Sequence, residues 1–309
     1  MYLRDEVASS YVAGAILLSF PLLGVVWGTW GFFWTVLILL AVFLVGLRKG
    51  LLIASALTLI GFIVPLVSIG LPALSQVSFV PLAGLLGVFG WQRWPVRVTF
   101  FWSAALASTL GVIPALLFAG QGIDPKSVTE IINSMVQQYQ ASGLLAVMQQ
   151  QGITEMQLRQ LMQEGIQFYI LILPGFVALS ALLEYAFTFY FFRRWLNPKG
   201  RIPFTHWRLP WYAVWGAVLG IAFYLLGDQY SWITLRALGI NLMVIYGAVT
   251  LILGIAVYSY LLQSPKIPRF LKWILIVASL VYFFFSVSSI ILFGLFDLVF
   301  NFRRLPEES

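Results

Sequence analysis

No cysteine occurs among the 309 residues, and His206 is the only histidine. The lack of thiols excludes disulfide bonds, cysteine nucleophiles, iron–sulfur clusters and cysteine-bound metals. A single histidine cannot form the multi-histidine sites that hold zinc. Charge is scarce as well, since charged residues make up 9% of the chain against about 25% in soluble proteins. We therefore expect no metal and no other cofactor.

Apolar residues dominate what remains, at 61% of the chain and a mean hydropathy of +0.94. Several uninterrupted apolar runs reach the length of about 20 residues that a helix needs to cross a bilayer. A transmembrane β-barrel would instead show alternating residues in segments of about ten. The sequence therefore predicts an all-α, polytopic transmembrane helical bundle that forms a single integral membrane domain over residues 1–309.

Nine apolar runs are candidate spans. They cover residues 11–29, 31–47, 51–69, 76–92, 98–119, 167–192, 210–227, 236–262 and 270–300. The net charge of +7 is carried largely by the loops between these runs. Basic loops facing an anionic cytoplasmic leaflet account for this charge, so nucleic-acid binding is not expected.

The distribution of Lys and Arg predicts the orientation in the membrane. With the N-terminus in the cytoplasm, most of the 18 cationic residues fall on the cytoplasmic side, as the positive-inside tendency requires. Only the tail disagrees, because nine full crossings would place Arg303 and Arg304 outside. If the region 270–300 bends back, or an earlier span fails to cross, the count becomes eight and the tail is cytoplasmic. We therefore predict eight or nine spans.

The largest polar segment, residues 120–166, separates the fifth and sixth spans. Asp124 before Pro125 is a good helix start, and Leu158, Leu161 and Met162 share one helical face. This pattern predicts an extracytoplasmic insertion of short amphipathic helices. Such helices can cap a cavity, or they can lie at the membrane surface with no further role.

The stretch FFRRWLNPKGRIPFTHWRLP, residues 191–210, concentrates positive charge. One interpretation is a cytoplasmic loop whose cations set the topology and whose tryptophans lie among the lipid headgroups. The other is a site that binds an anion or docks a partner. The candidate docking residues are Arg193, Arg194, Arg201, His206 and Arg208.

Three polar residues within the spans are candidate ligand-binding residues. Glu184 and Asp297 are carboxylic acids, which are costly inside a membrane and therefore suggest a function such as binding a cation, a proton or a polar ligand. Each also fits a structural lock, and Asp297 is predicted to pair with Arg304, seven residues later on the same helical face. Asn241 is predicted to form an interhelical hydrogen bond.

Small residues at a spacing of four predict close helix packing, either within the protein or against a partner. Ser9 with Ala13, and Gly216 with Gly220, show this spacing. Catalytic motifs such as a GK[ST] phosphate loop, HExxH or GxSxG do not occur. The sequence therefore argues against an enzyme, although Glu184 and Asp297 leave open a membrane enzyme acting on a lipid-like substrate.

Four segments together resemble the YybS-like family of uncharacterised bacterial membrane proteins. They are VFLVGLRKGLLIASAL, LEYAFTFYFFRRW, PFTHWRLPWYAVWG and GLFDLVFNFRR. The family has no assigned chemistry, and it is distantly similar to the substrate-binding subunits of energy-coupling-factor vitamin transporters and to the rod-shape protein MreD. The chain departs from a vitamin-binding subunit in its greater length, additional spans and outer polar segment.

The resemblance implies a bacterial plasma membrane protein and suggests two functions. The first is a transport component that binds a small molecule and relies on a partner ATPase module, with Ser9 and Ala13 at the coupling contact. The alternative is a scaffold of the cell envelope, similar to MreD, that docks envelope proteins through the basic stretch 193–208 and the basic loop 266–272.

Overall fold

The computed structural model describes residues 10–19, 21, 31–72, 77–91, 93–119, 125–196, 203–265 and 267–305. Within these ranges the regular structure is helical, which confirms the all-α prediction. The described helices are α1 Ser10–Ser19, α2 Gly31–Lys49, α3 Leu51–Ile69, α4 Val80–Trp91, α5 Val96–Ala119, α6 Pro125–Ala141, α7 Leu144–Gln150, α8 Glu155–Leu196, α9 Val214–Gln229, α10 Ile233–Gln263, α11 Arg269–Val281 and α12 Phe283–Phe300.

Seven of these helices are long and apolar enough to cross a bilayer, namely α2, α3, α5, α8, α9, α10 and α12. The apolar helices α1 and α4 are shorter. Because a membrane core about 30 Å thick leaves backbone groups no water to bond with, continuous helices are the structure expected there. A polytopic helical membrane bundle is therefore the architecture, with a span count close to the prediction.

Helix α8 is longer than the sixth predicted span. It contains 42 residues, which is roughly 63 Å at 1.5 Å per residue and about twice the membrane core. The predicted amphipathic helix around Leu158 is thus the beginning of α8 and not a separate element. Leu158 is buried and the neighbouring Arg159 donates to Asn133 of α6, whereas Leu161 on the same predicted face is 57% exposed.

The last predicted span, 270–300, is divided by the structure into α11 and α12, which meet at Tyr282. Helix α10 ends beside His206, whose ring lies 6.1 Å from that of Tyr260. Helix α12 also ends beside this segment, because Arg303 bonds the Thr205 and Trp207 carbonyl groups. The chain therefore leaves this end of the bundle after α10 and returns to it. A single crossing by 270–300 is wrong, and the region bends back.

Aromatic side chains fill the core of the first half of the bundle, which includes α2, α4, α5 and α8. Phe43 of α2 lies against Phe192, Phe189 and Tyr185 of α8, with ring centroids 5.2, 6.0 and 6.2 Å apart. Tyr185 and Phe192 are fully buried. This cluster joins α8 to α2 and thereby fixes the position of the basic end of α8.

In the second half of the bundle, which includes α10 and α12, the backbones of neighbouring helices meet. A Cβ atom on Gly254 of α10 would overlap the Ile290 carbonyl oxygen, and one on Gly294 of α12 would overlap that of Thr250. Only residues without side chains permit helices to approach this closely. Helices α10 and α12 are consequently held with their backbones in direct contact.

Candidate ligand site at the basic corner

The basic corner, defined as the described residues 193–196 and 203–210, connects α8 to α9. Pro203 and Pro210 precede two short 3₁₀ turns, Phe204–His206 and Trp211–Ala213. Proline fixes its own φ angle and is well suited to start such turns. The Thr205 hydroxyl also lies 3.1 Å from His206 Nδ1. The described residues 203–213 therefore fold into two successive short turns.

A cavity of about 150 Å³ lies between this corner, the start of α5 and the end of α8. Its basic lining residues are Arg97, Arg193, Arg194, Arg208 and His206. Its other lining residues are Val96, Phe100, Ala186, Phe189, Tyr190, Trp207, Leu209 and Leu253. We call this space the corner cavity. It combines cationic side chains with a largely apolar wall.

The structure brings four of the five predicted docking residues to this cavity, namely Arg193, Arg194, His206 and Arg208. Arg201 lies outside the described residues. The sequence interpretation missed Arg97, which precedes the span predicted at 98–119. It also missed the apolar wall formed by residues such as Phe100 and Leu253. A signal for Arg97 was available in its position on the same predicted side of the membrane as the corner.

Arg303 fastens the end of the chain to the corner. Its guanidinium contacts the Asp297 carboxylate at 2.6 Å and donates to the carbonyl oxygens of Thr205 at 2.6 Å and Trp207 at 2.8 Å. Asp297 and Arg303 are both almost fully buried, so the pair is shielded from water. We call this arrangement the tail latch. It holds the corner backbone on either side of His206.

The tail latch corrects the predicted partner of Asp297. The prediction of Arg304 assumed that α12 continues past residue 300. The helix instead ends there, because Asn301 adopts the left-handed conformation with φ 46° and ψ 55°. Asparagine tolerates this conformation and frequently ends helices. The reversal places Arg303 on Asp297 and leaves Arg304 exposed.

Glu184 lies away from the corner cavity, buried within the first half of the bundle. Its carboxyl group interacts with the hydroxyl of Thr35 in α2. The ion pairs found among the described residues do not include it. Glu184 beside Thr35 and Asp297 beside Arg303 therefore occupy separate sites.

Asn241 bonds the backbone of α8 beside Pro174. Its Oδ1 accepts from the Gly175 amide at 2.5 Å, and its Nδ2 donates to the Leu171 carbonyl at 2.8 Å. These two backbone groups are the ones that bond each other in a regular helix. Proline at position 174 crowds the backbone of the preceding turn and has no amide to donate. Asn241 thus makes an interhelical contact that satisfies the α8 backbone.

The small residues predicted for helix packing make contacts inside the protein. A Cβ atom on Gly216 would overlap the Tyr246 ring, and one on Gly220 would crowd Leu242 and Met243 of α10. Ala13 is 3% exposed and belongs to the core of the first half. Ser9 lies outside the described residues. The described members of both pairs are therefore packed against neighbouring helices of the same chain.

Residues 10–298 match the family described as Predicted membrane protein (DUF2232). No curated protein and no solved structure matches the chain. The family description agrees with the apolar helices, and it assigns no activity to them.

Proposed function

The chain belongs to this family of predicted membrane proteins, and from that premise we propose that it is a transport-related membrane component that binds an anionic amphipathic small molecule in the corner cavity. The observation that carries this proposal is the meeting of four arginines and a histidine around one apolar-walled space. Such a space suits a ligand with a charged end and an apolar end.

Arginine is well suited to recognise the charged end. Its planar guanidinium presents two parallel donors to a carboxylate or phosphate, and it stays protonated at physiological pH. At the ends of membrane helices the surroundings are less polar than bulk water, so attraction between opposite charges is stronger there. The apolar wall formed by Phe100, Phe189 and Leu253 receives the other end of the ligand.

The positive-inside tendency supports a cytoplasmic position for the corner cavity in a bacterial plasma membrane. The tail latch puts the end of α12 at the corner, so the tail and the corner share one side of the membrane. With the N-terminus also cytoplasmic, α6, α7 and the first turns of α8 form the extracytoplasmic insertion of residues 120–166. The proposed ligand thus enters from the inner leaflet or the cytoplasm.

The resemblance to YybS-like proteins, and through them to energy-coupling-factor subunits, supports a transport role. Since the sequence has no nucleotide-binding motif, a separate ATPase module supplies the energy in this proposal. Ala13 faces the core, which argues against its use as the coupling contact. The exposed residues Arg194 and Trp195 at the end of α8 are a more accessible surface for such a module.

Native mass spectrometry of the full chain in mild detergent tests the proposal. We expect one small anionic molecule bound per chain, with its occupancy reduced at least tenfold in the double variant Arg97→Gln/Arg194→Gln. The matched control is Arg269→Gln/Lys272→Gln, which removes two cations from α11 and should keep the molecule. A wild-type protein without any such molecule, or a control that loses it equally, would contradict the proposal.

A scaffold similar to MreD is the second candidate, and the exposure of Arg194 and Trp195 in the basic corner favours it. A scaffold predicts that an envelope protein, and not a small molecule, accompanies the purified chain. Arg194→Glu should then abolish that association while the thermal unfolding of the variant stays unchanged. A retained small molecule with no associated protein would exclude the scaffold.

A further inference from the structure

We infer that Glu184 of α8 is a proton-binding site inside the membrane, which carries its proton while α2 packs against α8 and releases it to water when the two helices separate. The inference is independent of the corner cavity and goes beyond the proposed function. It is carried by the depth of Glu184 in the bundle, by the placement of the charged residues around it and by the hydrogen bonding of Thr35.

Glu184 lies in the membrane-spanning part of α8. The helix ends at Leu196, twelve residues later, which is roughly 18 Å at 1.5 Å per residue in a bilayer core about 30 Å thick. The side chain of Glu184 is 9% exposed. A carboxylate at this depth is costly, so the group needs a cation or a proton to neutralise it.

The charged residues of the surrounding helices lie away from Glu184, towards the ends of those helices. The nearest one along α8 is Arg193, nine residues or roughly 14 Å away. Helix α4 carries none between Val80 and Trp91. The others on α2, α5 and α10 are Arg48, Lys49, Arg97 and Arg236. The ion pairs found among the described residues do not include Glu184, so no cation is seen to neutralise it there.

The titratable phenols of α8 and α10 near this depth are directed elsewhere. The Tyr185 hydroxyl points to Gly87 of α4, where a Cβ atom would overlap it. The Tyr246 ring of α10 lies on Gly216 of α9 in the same way. A proton held at this depth therefore belongs to the carboxyl group of Glu184.

The hydroxyl of Thr35 in α2 favours a proton as the neutralising species. It lies beside the Glu184 carboxyl group, and it donates its single hydrogen to the Gly31 carbonyl oxygen at 2.9 Å. Towards Glu184 the hydroxyl oxygen then presents a lone pair. A lone pair repels a carboxylate, whereas it accepts a hydrogen bond from a protonated carboxyl group. The Thr35 contact thus suits the neutral acid.

The register of α5 against α8 brings a second hydroxyl to the same depth. Helix α5 begins at the corner cavity and α8 ends there, so the two helices run antiparallel. They touch where a Cβ atom on Gly111 would overlap Ala181. Ser108 lies three residues before Gly111, and Glu184 lies three residues after Ala181, which puts both at one level.

This second hydroxyl leaves the site short of ligands for a metal ion. Ser108 is 8% exposed, and its hydroxyl has no hydrogen-bond partner among the described residues. One carboxyl group and two hydroxyls supply too few oxygens for a hard cation such as Ca²⁺, which takes about 6–8 oxygen ligands. A proton needs only the carboxyl oxygen and one acceptor.

Release of the proton is coupled to the packing of α2, because Thr35 belongs to that helix. Phe43 holds α2 on α8 by stacking on Phe192, with ring centroids 5.2 Å apart. When the helices separate, water reaches the site and the O–H bond of the carboxyl group breaks. The proton passes to a water molecule, and the carboxylate that remains accepts hydrogen bonds from water.

Infrared difference spectroscopy of the full chain in dodecyl maltoside tests the protonation, because a protonated carboxyl group has a carbonyl stretch that a carboxylate lacks. We expect this band in the wild-type protein at neutral pH and its loss in Glu184→Gln. The matched control is Glu164→Gln, which changes an exposed carboxylate of the same helix and should keep the band. A wild-type protein without the band, or one stabilised by added sodium only when Glu184 is present, would overturn the proton.

Variants of Thr35 keep the test decisive if Glu184→Gln fails to fold. Thr35→Val has a similar shape and removes the acceptor oxygen, so the carbonyl band should remain and move to higher frequency. Thr35→Ser retains the hydroxyl and should leave the band in place. An unchanged frequency in Thr35→Val would overturn the hydrogen bond to Thr35.

The rate at which the band disappears after a jump to alkaline pH tests the coupling to α2. Phe43→Ala loosens α2 on α8 and should speed this loss at least tenfold. Phe284→Ala, which changes a ring that is 86% exposed, should lose the band at the wild-type rate. Equal rates in the two variants would overturn release by separation of α2 from α8.

Discussion

The two halves of the bundle are held together in different ways. In the first half, α2, α4, α5 and α8 interlock through large side chains, with Phe43 and Tyr185 buried among other rings. In the second half, α10 and α12 touch through their backbones at Gly254 and Gly294, and the tail latch holds the end of α12. Lipid is as apolar as these side chains, so both halves depend on close packing and hydrogen bonds more than on the hydrophobic effect.

The corner cavity lies at the junction between these halves. Arg97, Phe100 and Phe189 reach it from the first half, whereas Arg208 and Leu253 reach it from the second. Neither half contains the complete site. The geometry of the cavity therefore depends on a packed aromatic wall on one side and on the tail latch on the other.

Breaking the tail latch should cause the largest loss of stability. Arg303→Met leaves the buried Asp297 without its partner, which typically costs about 3–5 kcal/mol. We expect a corresponding fall in the unfolding temperature measured in detergent. The double variant Asp297→Leu/Arg303→Met removes both charges and should recover most of the loss. A double variant as unstable as Arg303→Met would show that the charge of Asp297 is not the cause.

Opening the aromatic core of the first half should have an intermediate effect. Phe43→Ala leaves a cavity among the surrounding rings. Because lipid is as apolar as the lost side chain, the transfer term is small and the cavity term of about 24 cal/mol per Å³ remains, which is roughly 2–3 kcal/mol. Phe284→Ala is the matched control, because Phe284 is 86% exposed and loses few contacts. The two variants should separate clearly in thermal unfolding. Similar unfolding temperatures would contradict the assignment of Phe43 to a packed core.

Forcing the backbones of α10 and α12 apart should have the smallest effect of the three. Gly254→Ala introduces a Cβ atom that overlaps the Ile290 carbonyl, and such overpacking costs about 1–3 kcal/mol. Gly247→Ala in the same helix meets no atom within 4 Å, and it should be neutral or stabilising because alanine favours helix. Reversal of this order in thermal unfolding would refute the close approach at Gly254.

Hydropathy was sufficient to predict the fold class, because long apolar runs leave few alternatives in a membrane. It could not reveal the break at Tyr282, since FFF and the residues around it are apolar on both sides of the break. It also placed the start of this helix too late, because the sixth span was predicted at 167–192 whereas α8 begins at Glu155. The polar residues near Arg159 mark where the chain leaves the membrane, but they do not interrupt the helix.

The candidate site was predictable only in part. The local cluster of Arg193, Arg194 and Arg208 is visible in the sequence, and four docking candidates do line one cavity. The contribution of Arg97 depends on the packing of α5 against α8, which no local pattern encodes. The predicted partner of Asp297, Arg304, is one residue away from the observed partner, Arg303. The helical spacing no longer applies after Asn301, where the chain reverses.

The tail latch also determines when the corner can be completed during protein synthesis. Arg303 bonds the Thr205 carbonyl across 98 positions of sequence. A ribosome adding about 5–20 residues per second needs roughly 5–20 s to synthesise that interval. During this time the turn that carries His206 is already made but lacks the side chain that fastens it. The basic corner of a newly synthesised chain is therefore completed last, after the helices around it have been synthesised.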